Sequence, residues 1–442
     1  MDAKRTHCPD DGGVSSASHA YRLLSDVLGF EVPLRIRLWN GQEHGPANAP
    51  RVVLRSRRAV RHLLYRPGEL GAARAYVTGE LDVEGMELVD ALRQVWSAID
   101  EARARDPRAA RLRIRPGTLA RAAGLALRLG ALGPRPAPPA AESALTGERH
   151  STERDRAAIS HHYDISNEFY RLLMDETMAY SCAYFSAAGM TLGEAQRAKL
   201  DLVCRKLGLR PGMHLLDIGC GWGSLTLHAA EHYDVTVTGV TLSSEQRDHV
   251  AAAAAARGVG DRVEVSLRHY RELALQPGSI DAISSIEMGE HVGDAEYVDF
   301  AGAIHHYLRP HGRALIQQMS RSGEHPGGGP FIETYIAPDM HMKPLHRTLE
   351  LFAGAGLEVR DVQALREHYP RTVAFWADQL EQHWQEAVDL LGEETARVWR
   401  LYLAGGALAF EQNRMGVDQL LLVKPATDGS SAMPATPLAW LG

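Results

Sequence analysis

The sequence predicts an α/β protein: a doubly wound, mostly parallel sheet preceded by a small N-terminal α+β domain. From Thr152 onward, short apolar runs alternate with helical patterns, as in a parallel sheet wrapped by helices. At Leu215-Leu216-Asp217-Ile218-Gly219-Cys220-Gly221-Trp222-Gly223-Ser224, an apolar strand runs into a glycine turn and the start of a helix. Open sheets of this kind bind ligands at such strand ends, where helix N–H groups face outward. Before residue 102 the strands and helices are shorter and follow no such alternation.

Taken in order, residues 1–15 read as a tail. Ala20 to Leu28 has a helical pattern. Val32 to Trp39 alternates as a strand, with Arg51 to Arg55 as its expected hairpin partner. Arg58 to Tyr65, Tyr76 to Leu81 and Met86 to Ile99 complete a domain over 16–102. Residues 103–150 read as a linker whose Arg103 to Arg135 stretch holds nine arginines and one acid, Asp106, and whose Pro134 to Pro139 run breaks any helix. Such a basic stretch suits either a solvated linker or a surface drawn to anionic lipid headgroups.

The sheet strands are expected at Met213 to Asp217, Val235 to Val240, Val263 to Leu267, Ile280 to Ile286 and Arg313 to Met319. Helices fall at Gln196 to Leu207, Ser224 to His232, Ser244 to Arg257 and Tyr297 to Tyr307. Beyond them come a helix at Leu345 to Ala355, a strand at Glu358 to Leu365, a mostly helical Arg371 to Gly406 and a strand at Gln419 to Val423. The main domain therefore spans 151–425, with 426–442 as a second tail.

Net charge is −7, which gives no global reason to expect nucleic acid. The four cysteines form neither a zinc pattern nor a disulfide framework, and no metal site is expected. No run of 18 apolar residues exists, and Met1 to Ser18 lacks the apolar core of a signal peptide. The expected location is cytoplasmic, peripheral at the inner face of the membrane.

A dinucleotide fold would place an acid at the tip of the second strand to hold a ribose. Here that strand runs into Thr241-Leu242-Ser243-Ser244-Glu245-Gln246, and the turn after Asp217 is too tight for a pyrophosphate. S-adenosylmethionine suits the site better.

On these residues the chain from Ile159 to Pro425 resembles the cyclopropane-fatty-acyl-phospholipid synthases and the related mycolic acid cyclopropane synthases. The matching stretches are His162-Tyr163-Asp164-Ile165-Ser166-Asn167, Tyr180-Ser181-Cys182-Ala183-Tyr184-Phe185, the glycine turn, Thr241 to Gln246, Glu290-His291-Val292-Gly293 and His368-Tyr369. Tyr76-Val77-Thr78-Gly79-Glu80 matches the family's helper domain less sharply. The resemblance implies a Rossmann-like class I methyltransferase fold and transfer of a one-carbon unit to a cis double bond of a phospholipid acyl chain, giving a cyclopropane. It implies cofactor contacts at Tyr180, Ser181, Asp217, Gly219, Gly221, Thr241, Gln246, His269 and Tyr270. It also implies a bound bicarbonate as base, cradled by Cys182 (through its backbone), Glu290, Gln317, Met319 and Tyr369. Glu287 is an extra acid with no assigned role.

Tyr163, Phe185, Phe331, Tyr335 and Trp376 are candidates for an acyl tunnel. Two departures from the family stand out: Gln317 where His is usual, and Gly406 where many relatives carry a cysteine. Gln cannot carry positive charge, which weakens bicarbonate binding and opens a methylene- or methyl-branched outcome, the former needing a reductase downstream. The other readings are a small-molecule methyltransferase and a membrane-surface protein that binds the cofactor without turnover. A homodimer is what the family suggests.

Overall fold

The computed structural model describes residues 15–108, 116–142, 151, 153–154, 167–321 and 327–437. The sequence motif at His162 to Ser166, the tunnel candidate Tyr163, arginines 111, 113 and 115, most of the N-terminal tail and the last five residues lie outside these. The chain divides into two compact units, Met1–Ala140 and Ala141–Gly442.

In the first unit, helix Ser16–Leu28 starts at Ser15, whose side chain accepts from Ser18 N, and stops at Gly29 with φ 80°. Strands β1 (Arg35–Leu38), β2 (Glu43–His44), β3 (Arg51–Leu54) and β4 (Leu81–Glu84) form a sheet in the order β2-β1-β3-β4. The hairpin expected between β1 and β3 is instead a parallel pair, Arg35 opposite Arg51 and Leu38 opposite Leu54. The hairpin partner of β1 is the short β2, which returns the chain to the start of β1, so β3 runs alongside on the other edge.

The expected linker is also corrected. Helix Leu88–Arg105 runs past residue 102, and Pro116–Arg128 is a second helix of this unit. Ala126, Leu129 and Ala131 enter the core beside Ala17, Tyr21 and Leu38. Arg61 then donates to the Ala131 and Leu132 carbonyls at 2.9 and 3.2 Å, and the Tyr65 hydroxyl to Gly133 O at 2.7 Å. Burial of Leu129, at about 1.5–3 kcal/mol, with Ala126 and Ala131 against the same core and the hydrogen bonds from Arg61 and Tyr65, holds a segment whose arginine-rich composition suggested a linker.

The second unit is the seven-stranded sheet. Its strands are β5 (His214–Ile218), β6 (Thr236–Thr241), β7 (Val263–Leu267), β8 (Ile280–Ile286), β9 (Leu308–Ser320), β10 (Glu358–Ala364) and β11 (Gly416–Val423), in the order β10-β11-β9-β8-β5-β6-β7. β5 to β9 are mutually parallel, and β11 is inserted antiparallel between β9 and β10. Chain order runs outward from β5 to β7 and restarts at β8 on the other side of β5. The adjacent C-terminal ends of β5, β6 and β8 therefore open a crevice.

Leu216, Ile218, Ile283 and Ile316 are buried with Tyr297, Phe300 and Phe352 from helices Asp294–Tyr307 and Leu345–Gly354. Leu215, Leu315, Leu227 and Val203 fill a second cluster with helices Leu192–Leu207 and Ser224–His232. Helix Leu192–Leu207 begins in a capping box between Thr191 and Glu194 and ends at Gly208 in the left-handed region. The expected helical stretch near the C-terminus is three helices, His368–Gln382, Trp384–Leu391 and Glu393–Glu411, broken at His383 and at Gly392 with φ 78°. With Asn167–Leu173 they form an aromatic core above the crevice, around Phe169, Tyr170, Trp376, Trp399 and Phe410.

Candidate active site

The donor side of the crevice is built on the turn after β5. Gly219 and Cys220 N–H groups donate to Val240 O at 2.9 and 3.0 Å, tying the turn to β6. Gly219 has φ 80°, and a Cβ there would lie 2.9 Å from Met288 Cγ. At Gly221 a Cβ would meet nothing within 4 Å, so the turn is open at that point. Asp217 is buried and accepts from Thr226 Oγ1 at 2.8 Å and Ser284 Oγ at 2.7 Å. Burial raises its pKa above the ordinary carboxylate value, with both hydroxyls pulling it back.

At the end of β6, Thr241 Oγ1 donates to Gln246 Oε1 at 2.6 Å, leaving the amide NH₂ of Gln246 as the donor for a ligand hydroxyl. Ser243 Oγ caps the following helix by accepting from Gln246 N at 3.2 Å. His269 begins a helical turn, accepting from Arg271 N at 3.2 Å, and its ring lies 4.5 Å from that of Tyr270. The Ser181 hydroxyl accepts from Lys199 Nζ at 2.8 Å. All nine residues expected to contact the cofactor line one cavity, which Lys199, Trp222 and Glu287 also line. An adenosyl sulfonium fits this donor set: an open glycine turn, an amide at the β6 end and aromatic faces.

The other side holds the expected cradle. Segment Ala179 to Phe185 has no regular secondary structure and is pinned by neighbours. Gln196 Nε2 donates to the Ala179 and Ser181 carbonyls, and Ala183 N donates to Thr372 Oγ1. This points the Cys182 backbone N–H inward. Its thiol instead meets the Ala183 and Leu365 carbonyls at 3.4 and 3.7 Å, and burial pushes the thiol pKa well up, so it is not a nucleophile.

Gln317 on β9 is fully buried and receives a hydrogen bond on Oε1 from Gln419 Nε2 at 2.9 Å, which turns its own NH₂ into the site. The Tyr369 hydroxyl opens helix His368–Gln382 and stays protonated because burial, then the charge of Glu287, raise its pKa. All three donors converge on one carboxylate, that of Glu287. It accepts from Cys182 N at 2.8 Å, from Gln317 Nε2 at 2.9 Å and from the Tyr369 hydroxyl at 2.5 Å.

Glu290 is fully buried, and neither carboxyl oxygen reaches a hydrogen-bond partner in ordinary geometry. Burial and then Glu287 push its pKa well above the usual range, with the nearby Glu290 and Met319 N–H groups offsetting this only in part. Of the two carboxyls, Glu287 has the donors that stabilise a negative charge and Glu290 has none in ordinary geometry. Met319 contributes its backbone there, and its side chain packs at the edge of the aromatic core. The donors assigned to a bicarbonate are thus already engaged by a protein carboxylate, which takes the place of the anion they would hold.

Tyr180 joins the two halves. Its hydroxyl donates to that of Tyr402 at 3.2 Å, and its ring lies 5.0 Å from Trp376, 5.5 Å from Tyr170 and 6.1 Å from Trp399. Burial pushes the Tyr402 pKa up to about 12. Among the other tunnel candidates, Phe185 stacks on Phe375 at 6.0 Å and carries Arg371 over its ring. Phe331 and Tyr335 pack on each other at 5.4 Å. Gly406 has open space where a side chain would project. Sequence reasoning missed Lys199, Tyr402, Gln419 and the placement of Glu287. Only Glu287 left a trace, as an acid at the tip of the strand beside the switch point.

Residues 150–420 match the family model described as mycolic acid cyclopropane synthetase. A probable fatty acid methyltransferase of Pseudomonas putida is 36% identical over 419 residues, covering 93% of this chain and 96% of that protein. The solved structure of the cyclopropane synthase MmaA2 from Mycobacterium tuberculosis matches with a TM-score of 0.58 at 35% identity, covering 63% of this chain and 99% of that one. The mycolic acid cyclopropane synthase CmaA1 complexed with SAH and CTAB matches with a TM-score of 0.56 at 36% identity, covering 60% and 97%.

Proposed function

The chain belongs to the mycolic acid cyclopropane synthetase family of S-adenosylmethionine-dependent methyltransferases, and from that premise we propose that it alkylates cis double bonds in phospholipid acyl chains, closing a cyclopropane ring. The observation that carries the reading is the aromatic enclosure of Tyr170, Tyr180, Trp376, Trp399 and Tyr402, joined to the cofactor cavity through Tyr180.

When bound, S-adenosylmethionine supplies an electrophilic methyl group. Asp217, Gly219, Gly221, Thr241 and Gln246 would hold its adenosyl part, and Tyr180 and Ser181 lie toward the acyl side. An alkene carbon that takes a methyl group leaves a cation on its neighbour. Ring faces stabilise such charge by about 0.5–2 kcal/mol each when water is excluded. The buried rings exclude water that would quench the cation to an alcohol. The Cys182 thiol does not compete for the methyl group, because burial raises its pKa and it is bonded to carbonyls.

A phospholipid substrate is supported by the first unit. Leu119, Leu127 and Leu132 are exposed by 58, 68 and 52%, close in sequence to the exposed Arg121, Arg128 and Arg135. Large apolar side chains interspersed with arginines suit an anionic bilayer surface. No described helix is long and apolar enough to cross a membrane.

Gln317 favours a second reading, a methylene-branched product for a reductase to consume. Its neutral amide, held by Gln419, puts no positive charge beside the cation. Both products lose a proton from the transferred methyl, so ring closure competes with hydride migration. The test is incubation with S-adenosylmethionine and vesicles of cis-monounsaturated phospholipid, followed by mass spectrometry and NMR of the released fatty acids. A gain of about 14 mass units with cyclopropane protons is expected, since one CH₂ is added per turnover. An exocyclic methylene would select the second reading, and no gain in any lipid would refute both.

A further inference from the structure

We propose that Glu287 is the general base of this reaction, a carboxylate built into the chain at the place where the family resemblance puts a diffusible bicarbonate. The inference rests on the alkene-alkylation reading above. Three donors from separate elements converge on it: the Cys182 backbone on the pinned segment, Gln317 on β9 and Tyr369 on the C-terminal helices. Gln317 cannot turn its oxygen toward Glu287 without opposing a carboxylate and losing the bond from Gln419, so its donor is oriented.

The backbone is bent to this end. Glu287 has φ 52°, a left-handed conformation uncommon for a residue other than glycine, and its N–H is tied to Gln317 O at 2.6 Å. The side chain also lines the cofactor cavity, so one carboxylate faces the cradle and the methyl donor's site together.

The charges around it are consistent with a base rather than a structural acid. Burial raises the Glu287 pKa, while Tyr369, Cys182, Gln317 and then Lys199 pull it back. Glu290 beside it has no such donors, and the nearby Glu287 raises its pKa further, so the geometry favours the negative charge on the oxygens the donors address. After methyl transfer the acyl chain carries a cation. Glu287 accepts a proton from the transferred methyl, and the released C–H electron pair closes the ring and neutralises the cation. The resulting carboxylic acid returns its proton to water as product leaves.

The experiment compares wild type, Glu287→Gln and Glu287→Gly, each in buffer stripped of carbon dioxide and again with added bicarbonate. Wild-type turnover should not respond to bicarbonate. Glu287→Gln should lose about 10²–10⁴-fold in kcat, the usual contribution of a general base, while its affinity for S-adenosylhomocysteine stays within about threefold of wild type. Glu287→Gly should recover turnover when bicarbonate or formate is added. A second readout needs no lipid: ¹³C-bicarbonate should show no bound NMR signal with wild type and a bound signal with Glu287→Gly. Wild-type turnover that falls on stripping, a bound bicarbonate signal in wild type, or full activity in Glu287→Gln would each overturn the proposal. Absence of lipid alkylation in wild type would refute the reading beneath it, and the NMR comparison would still decide what occupies the cradle.

Discussion

Glu290→Gln tests the electrostatics of the site through stability. Glu290 is buried without an ordinary partner, and burial, then Glu287, push its pKa well above the usual carboxylate value near 4.5. A carboxyl whose pKa is higher folded than unfolded holds its proton more tightly in the native state. Its favourable contribution is therefore complete below about pH 4.5 and is lost as pH rises toward the raised folded value. For one proton the loss is about 1.4 kcal/mol per pH unit. Glutamine has nearly the shape of the protonated acid and nothing to ionise. The variant should gain on wild type as pH rises above about 4.5, by up to about 1.4 kcal/mol per pH unit, until the folded group ionises. The other ionisable groups are common to both proteins, so the difference isolates Glu290 and its coupling to Glu287. Urea unfolding followed by tryptophan fluorescence suits the measurement, since Trp222, Trp376, Trp384 and Trp399 all lie in the second unit. Parallel stability curves for the two proteins from pH 5 to 8 would show that Glu290 is not protonated in the fold, and the assignment of charge to Glu287 would fall with it.

Gly219→Ala forces a side chain into the left-handed region, at about 1–2 kcal/mol, and places its Cβ 2.9 Å from Met288 Cγ. Calorimetry should show at least a tenfold loss of S-adenosylhomocysteine affinity, and unchanged affinity would remove the turn from the cofactor site. Cys182→Ala keeps the backbone donor and loses only a thiol bonded to carbonyls, so kcat should stay within about threefold. A hundredfold loss with intact cofactor affinity would show that the sulfur takes part. Replacing Arg128 and Arg135 together by Gln removes about 1 kcal/mol each at an anionic surface, so vesicle sedimentation at low salt should show binding roughly 30-fold weaker. Equal binding would discard that surface.

Local pattern carried far in this chain. β7 and β8 fall where apolar periodicity places them, and β5 and β6 lie within one residue of it, because buried parallel strands are short apolar runs with sharp ends. Asp217, the glycine turn and the Thr241–Gln246 stretch come to one cavity for the same reason: each sits at the C-terminal end of a strand in one parallel sheet. Where contacts are made between distant segments, pattern was insufficient. The parallel pairing of β1 with β3 depends on a two-residue strand between them, and the helix within 103–150 is held by residues nearly a hundred positions away.

The same division runs through the active site. By itself the sequence determined the fold class and the glycine turn at a strand end, because these follow from patterns local in the chain, while the cradle residues came from the family resemblance. Which carboxylate enters the cradle was decided only by the tertiary structure. Glu287 and Glu290 are three residues apart and alike in chemistry. A left-handed backbone at Glu287 and donors from positions 182, 317 and 369 bring one of them to the center of a hydrogen-bonded site, while the other is buried with no partner in ordinary geometry.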